Sequence, residues 1–520
     1  MDVYAVIGAP PEVQAYALAK YSRSAQLLRE SIDELSTQRA EQFLTTFYFQ
    51  YGHASIADLA HIALAIENIS MLAAFYVVDE PLWDGQERSS RYQDFRKSGF
   101  YVPPGLAEGS PERQRYAQAL NFLLERYEFF SAQLLDVLMQ VCPRPAEMSQ
   151  GVYTRTLRAR AFDVARAFLP LATLTSVGQV TNARVLEQQV SRLTGHALTE
   201  LHDVGAAIRQ ACQQPAHNFT EQKLRAAWES AGLSQAQIAR QQEMLEEAGV
   251  LGVSATPTLV KYTEPEVYGP RTLQAAREML APHLERLQER PHTEPVELVA
   301  PEDDLLTACV GTLLYLIDPE GRALSQLQQV TARLSDEEKQ RILALTLEQR
   351  SPHDDWLRLH RLGYTLGFDL LVDVGALRDL HRHRRCVQIL PELKLHLGYD
   401  DPAIMFQAGL GAEGAALAAQ RGLMDAYRKA MDTATETARA FPFPEHAVYL
   451  LPLGARQRAL FKMDMAEAAY MIELRTGVMG HFSYRRIAYA MYRQLCQRYP
   501  YLGTAIRATN PEEVIDLLKR

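Results

Sequence analysis

The sequence predicts an α+β chain in which one small antiparallel sheet with many helices occurs twice and pairs as a pseudo-dimer. Three observations predict this. Much of the 520-residue chain spaces its apolar residues by three and four, as amphipathic helices do. Two short stretches alternate instead, as strands do. Two pairs of segments, one member in each half, repeat the same order of features.

The helical pattern is clearest over Gln14 to Leu35, Arg113 to Val141, Thr154 to Ala167, Arg184 to Cys212 and Met465 to Gln497. The alternating stretches centre on Ile62, Leu64 and Ile66, and on Tyr364, Leu366, Phe368 and Leu370. Period-two spacing predicts strands with one buried face. Each runs into a helix-like segment, Ser70 to Val78 after the first and Val374 to Arg385 after the second.

This parallel continues. GHASIADLAHIALAIENISMLAAFYVVDE from Gly52 and PHDDWLRLHRLGYTLGFDLLVDVGALRDLHRHR from Pro352 both give a histidine, a turn, a strand and a helix ending in charges. AFLPLATLTSVGQVTNARVLEQQVSRLTGH from Ala167 and YLLPLGARQRALFKMDMAEAAYMIELRTGVMGH from Tyr449 both give Leu-Pro-Leu, a helix, an arginine and Gly-His. The expected division is a first copy over 1–215, a helical connector over 216–292 and a second copy over 293–520. The proline- and acid-rich ERPHTEPVELVAPEDD, from Glu289, reads as a boundary.

Composition narrows the function. Apolar residues are 47%, charged residues 22% and the net charge is −9, an ordinary globular balance without the basic excess of a polymer-binding nucleic-acid protein. Any anion site must then be a local arginine cluster, which suits a small phosphorylated ligand. Five widely spaced cysteines, with no CxxC, argue against a disulfide framework or a thiolate metal site. With no membrane-length apolar run and no basic n-region before an apolar stretch, the expectation is a reduced, cytoplasmic protein.

Three stretches could carry chemistry. In QERSSRYQDF, Glu87, Ser89 and Arg91 alternate and would point one way from an extended loop, an arrangement that can cradle a phosphate or lie solvated. In LHRHRRC, Arg382, His383 and Arg384 end a helix, where cations either cap the dipole or wall an anionic cofactor. Asn182, Arg184 and Gln188 open another helix, with Asn182 a natural N-cap. Arg166, Arg192 and Arg475 lie near apolar helix faces, where an arginine snorkels, pairs with a carboxylate or meets a phosphate.

The order of these features resembles the flavin-dependent thymidylate synthases, twice over. That family carries RHRxxSxNExSxRY after a helix, a histidine and serine upstream, then an arginine before Leu-Pro, Asn-x-Arg, and a late Arg and His. The first half matches at His53, Ser55, Glu87, Ser89, Arg91, Tyr92, Arg166, Asn182, Arg184, Gln188, Arg192 and His196, but acids and a proline replace the Arg-His-Arg. The second half keeps Arg382, His383, Arg384, Arg475 and His481. It has Leu390, Glu392 and Lys394 where the first half has Glu87, Ser89 and Arg91, and Val448 for Arg166. Asp379 stands at the family's signature glutamine.

The losses are complementary, so the resemblance implies one composite site per chain. Glu87, Ser89, Arg91 and Arg166 would bind dUMP, with Arg475 and Arg192 as catalytic groups. His53, Ser55, Asn182, Arg184, Gln188, Arg382, His383 and Arg384 would bind FAD. NADPH would be reductant, methylene-tetrahydrofolate the carbon donor, and two chains would rebuild the family's tetramer-like particle. The other reading is a non-catalytic or repurposed nucleotide- or flavin-binding paralogue.

Overall fold

The computed structural model describes residues 8–19, 54–287, 292–299, 305–349, 357–360, 366–463, 465–498, 506–513 and 515–519. His53 lies outside the described residues, as do Tyr364 and most of the predicted helix from Gln14 to Leu35. The chain divides into two compact units. One holds residues up to Ile69, Tyr76–Glu87 and Ser176–Glu266; the larger holds Ser70–Phe75, Arg88–Thr175 and Val267–Arg520.

The smaller unit begins with α1 (Pro11–Ala19) and a 3-10 turn at Ala54–Leu59. Its three-stranded sheet comprises β1 (His61–Ser70), β2 (Asp84–Glu87) and β3 (Leu174–Asn182) in the order β1-β3-β2. The helix after β1 is α2 (Met71–Val77). Helices α3 (Pro111–Val141) and α4 (Gln150–Ala165), which belong to the larger unit, separate β2 from β3 in sequence. Both begin on a serine, Ser110 and Ser149, whose hydroxyl accepts from a first-turn N–H.

After β3 come α5 (Ala183–Thr194) and α6 (Thr199–Gln213), so the long pattern from Arg184 to Cys212 is two helices. The break falls at Gly195, where a Cβ would stand 1.9 Å from the Glu266 carbonyl. The chain continues as α7 (Phe219–Ser230), α8 (Gln235–Glu247) and α9 (Tyr268–Glu285).

In the larger unit β4 (Val296–Val299) precedes α10 (Leu305–Ile317), α11 (Leu324–Thr331) and α12 (Asp336–Glu348). Then follow β5 (Leu366–Asp373), α13 (Val374–Leu380), β6 (Val387–Ile389), α14 (Pro402–Gln420), α15 (Leu423–Arg439), α16 (Pro444–Ala447), β7 (Arg456–Met463), α17 (Met465–Thr476) and α18 (Phe482–Arg498). The sheet order is β4-β5-β7-β6, and its pairs are antiparallel.

The two sheets share one plan: strand, short helix, edge strand, long helices, central strand, helix. β5 departs from the expected half-buried strand, because all eight of its residues are buried. One face packs into a core with Leu377, Met471 and Met491, and the other carries Asp369, which accepts from Tyr315 Oη at 2.8 Å and pairs with Arg458 at 3.2 Å. The acid-rich stretch read as a boundary contains β4, which adds to this sheet.

The repeat is repeated again in hydrogen bonds. Within the larger unit the two Leu-Pro segments cross, with Pro170 facing Pro452. The Leu171 N–H donates to Leu451 O and the Leu453 N–H to Leu169 O, both at 2.9 Å. The Ala172 N–H donates to Tyr449 O and the Gly454 N–H to Ala167 O, again both at 2.9 Å. Met71 and Leu72 donate to Thr173 and Leu171 as Val374 and Gly375 donate to Ala455 and Leu453. Gly99 and Gly398, both at positive φ, accept from Leu174 and Arg456 at matching places. These bonds pair the two Leu-Pro segments of the larger unit about a local two-fold axis.

Buried aromatic rings fix the crossing. Phe168 stacks on Phe130 at 4.9 Å and meets Tyr427 edge-on at 4.8 Å. Such pairs each add about 0.5–1.5 kcal/mol beyond the area they bury. They hold the 3-10 turn Arg166–Phe168, and thereby Arg166, in place.

Candidate functional site

The site grows from that crossing. Arg166 follows the last turn of α4 and its guanidinium is buried. Nη1 donates to Ser90 Oγ at 3.2 Å and Nη2 to Asp379 Oδ2 at 3.2 Å. Arg166 and Ser90 come from the first copy and Asp379 from α13 of the second. Arg382, one turn on from Asp379, lies 3.8 Å from its other carboxylate oxygen.

Burial alone would raise the Asp379 carboxyl. Arg166, Arg382 and Arg91 outweigh it and hold the group below its ordinary value. A permanent anion therefore sits among three arginines.

Arg91 is also buried. Nε donates to Asp163 Oδ1 at 3.0 Å, Nη1 to Tyr484 Oη at 3.2 Å and Nη2 to the Met479 carbonyl at 3.2 Å. Asp163 is one helical turn before Arg166, so one helix end positions both an arginine and the carboxylate that orients the other. His481 closes this corner. Its Nε2 donates to the Asp163 carbonyl at 2.8 Å and its Nδ1 accepts from the Ser483 N–H at 3.1 Å. Burial, then Arg166, push its pKa well below the usual histidine value, so the ring is neutral.

A fourth arginine is Arg475, in the last turn of α17. Its Nε donates to His383 Nε2 at 2.8 Å, and its guanidinium carbon lies 5.4 Å from the centre of the Tyr484 ring. His383 Nδ1 faces Glu467 Oε1 at 3.1 Å. Tyr484 thus meets Arg91 of one copy and Arg475 of the other.

The larger unit brings together Arg91, Arg166, Arg382, His383 and Arg475, all expected from the sequence. Arg384 is half-buried in the same turn as His383. Ser89 accepts from the Arg91 N–H at 3.3 Å, while its neighbour Ser90 meets Arg166. The period-two reading selected Ser89 because it assumed an extended loop; the residues 89–92 turn instead, with the Gln93 N–H donating to the Ser89 carbonyl.

The smaller unit holds the rest. Glu87 ends β2 opposite Val177. Ser55 is exposed at the 3-10 turn. Asn182 caps α5, its Oδ1 accepting from the Val185 N–H at 2.9 Å. Arg184 pairs with Asp58 at 3.3 Å and Gln188 is exposed, while the next residue, Gln189, is buried against Gln179 and Val77. Arg192 is bonded to Glu80 and to the Tyr76 carbonyl.

Sequence reasoning missed Ser90, Asp163, Glu467 and Tyr484. Only Tyr484 carried a signal, three residues beyond the matched His481; the others are visible only through their partners.

A family model described as thymidylate synthase complementing protein matches residues 6–216 and 364–501, one segment in each half. The chain belongs to this family. UPF0159 proteins of Chlamydia pneumoniae and Chlamydia muridarum are 26% and 27% identical to it, in alignments spanning 96% of this chain and 90% of each relative. A flavin-dependent thymidylate synthase of Helicobacter pylori, solved with FAD and dUMP, is similar at 17% identity with a TM-score of 0.26. That likeness covers 41% of this chain and 93% of that one.

As a family member, the chain is a divergent duplicated form. Val448 occupies the place of Arg166 in the second copy, 282 residues on, so only one arginine of this kind stands at the Leu-Pro crossing. Among the described residues no cluster of metal-ligating side chains occurs and no helix is long and apolar enough to cross a membrane.

Proposed function

We propose that this chain binds dUMP and FAD at one composite site and methylates dUMP reductively to dTMP. The observation that supports this is that arginines of both copies converge through two sets of contacts: Arg166 of the first copy pairs with Asp379, which faces Arg382, and Arg91 of the first copy bonds Tyr484, over whose ring lies Arg475, held by His383. Copies that had simply decayed would have no reason to leave complementary cations at one junction.

Arg91 and Arg166, with Ser90, would take the nucleotide phosphate, because buried guanidinium groups offer paired donors in a dry setting. The phosphate would compete with Asp379 for Arg166. Arg475, held by a neutral histidine, would face the uracil ring and draw electron density from its carbonyl. Tyr484 would keep Arg91 and Arg475 apart across its ring.

The donor set fits a flavin dinucleotide. Arg382 keeps 46% of its side chain exposed, and with Arg384 it would hold the pyrophosphate. When bound, FAD supplies the hydride chemistry, with NADPH as reductant and methylene-tetrahydrofolate as carbon donor. None of the five cysteines takes part in this reading.

The test uses the purified full chain with FAD, NADPH, methylene-tetrahydrofolate and dUMP. The reading predicts a flavin reduced by NADPH, reoxidised only with dUMP present, and dTMP as product. Binding of FAD and dUMP without dTMP would make the chain a nucleotide-binding relative; binding of neither would reject the composite site.

A further inference from the structure

The two copies treat the arginine at the end of the helix after their central strand in different ways. In the first copy Arg192 donates directly to Glu80 Oε1, from Nη2 and, at 3.0 Å, from Nε. In the second, the residue 303 positions after Glu80 is His383, and Arg475 donates to its ring nitrogen at 2.8 Å. The carboxylate of the second copy has moved back by one side chain: Glu467 meets the far nitrogen of the same ring.

This difference changes the charge presented. Glu80 cancels Arg192. Glu467 is separated from Arg475 by an imidazole, so the guanidinium is held through a neutral ring and not by direct contact with that carboxylate. The bond pattern also dictates the tautomer. The carboxylate can only accept, so Nδ1 carries the proton; Nε2 is then a lone pair and can accept from Arg475. The opposite tautomer would set two N–H groups against each other.

From this geometry we infer that Glu467 is a positioning residue for the proposed nucleotide site: it fixes His383 as the Nδ1–H tautomer and thereby aims Arg475. The inference rests on the function proposed above for Arg475, but the tautomer itself does not. Glu467 is 2% exposed and lies two residues from the start of α17. Tyr470, from the same helix, places its ring edge-on to His383 with the ring centres 5.8 Å apart.

The groups facing the imidazole are Glu467, Tyr470 and Arg475 from α17 and Arg384 from its own turn. Burial is the largest influence and lowers the His383 pKa below 6.5; Glu467 opposes this and Arg475 adds to it. The ring is therefore neutral at pH 7.5, as the relay requires.

The experiment compares the full chain with Glu467→Gln and Glu467→Ala. Gln keeps an oxygen that accepts from Nδ1, and Ala removes it. Nitrogen-15 NMR of histidine-labelled protein, with the His383→Asn variant identifying the signal, reads the tautomer without any ligand. Titration of dUMP into the FAD-loaded protein, followed by flavin absorbance, reads affinity.

Wild type should show the Nδ1–H form. Glu467→Gln should keep it, with dUMP affinity within about threefold, and Glu467→Ala should mix the tautomers and weaken dUMP at least about tenfold, the scale of one lost hydrogen bond in such a relay. A wild-type ring protonated on Nε2, an unchanged tautomer in Glu467→Ala, or a Gln variant as weak as the Ala variant would overturn the inference. If wild type shows the expected tautomer but binds no dUMP, the proposed function fails while the relay stands.

Discussion

Asp379→Asn is the substitution whose effect can be worked furthest. Asp379 is an internal anion on Arg166 at 3.2 Å, and a phosphate arriving at that arginine would meet its charge. Two unit charges about 5 Å apart interact by about 3 kcal/mol at an effective dielectric constant near 20. Screening by Arg382 and Arg91 reduces this, so a gain of about 1.4–2.8 kcal/mol, or about 10–100-fold in phosphate affinity, is expected. Asparagine keeps the shape and one accepting oxygen for Arg166. The same change removes the carboxylate that pairs with a buried guanidinium, so the melting temperature should fall.

Calorimetric titration of dUMP and of inorganic phosphate, beside a thermal melt, reads both effects. Because arginines hold the Asp379 carboxyl below its ordinary value, the difference between variant and wild type should stay flat from pH 6 to pH 8. Tighter phosphate binding together with lower stability supports an anion subsite at Arg166. Equal or weaker binding would refute it.

Other substitutions test separate parts. Ser90→Ala and Arg382→Ala should each abolish dUMP-dependent flavin reoxidation, although they lie in different copies; unchanged turnover in Arg382→Ala would leave the first copy working alone. Phe168→Ala should cost about 3–5 kcal/mol in a denaturant titration, because the ring is fully buried between Phe130 and Tyr427. Burial, and then Asp400, push Asp373 up to about 6 against 3.8 unfolded. The folded state then binds the extra proton between those values, so stability falls as pH rises through about 4 to 6. Asp373→Asn, which can still cap α13, should therefore stabilise the fold at pH 7.5 and not at pH 4, by an amount on the order of 3 kcal/mol at most, read as a higher melting temperature at pH 7.5 only. A gain of equal size at both pH values would contradict this.

The repeat was legible because it rests on patterns that survive divergence: period-two strands, Leu-Pro before the central strand, and a helix after it. The hydrogen bonds of Leu171 and Ala172 and those of Leu453 and Gly454 match at a constant spacing of 282 residues. The cationic residues of the site were legible too, since charge at a motif position needs no geometry to notice. Their neutralising partners were not. Asp163 lies on the buried face of an ordinary helix, and nothing in its sequence surroundings shows that it faces Arg91. Ser90 was hidden by a turn that breaks the alternation from Glu87 to Arg91. β5 was read as half-buried because periodicity reports one face, whereas α10 and α11 cover the other through Asp369.

Counting ligands on the full chain tests the composite site most directly. Titration of the purified protein with FAD and then dUMP, with protein concentration fixed by amino-acid analysis, should saturate at one of each per chain, and Arg166→Ala should remove the nucleotide without removing the flavin. Two nucleotides per chain, or one that survives in Arg166→Ala, would contradict a single site built from both copies.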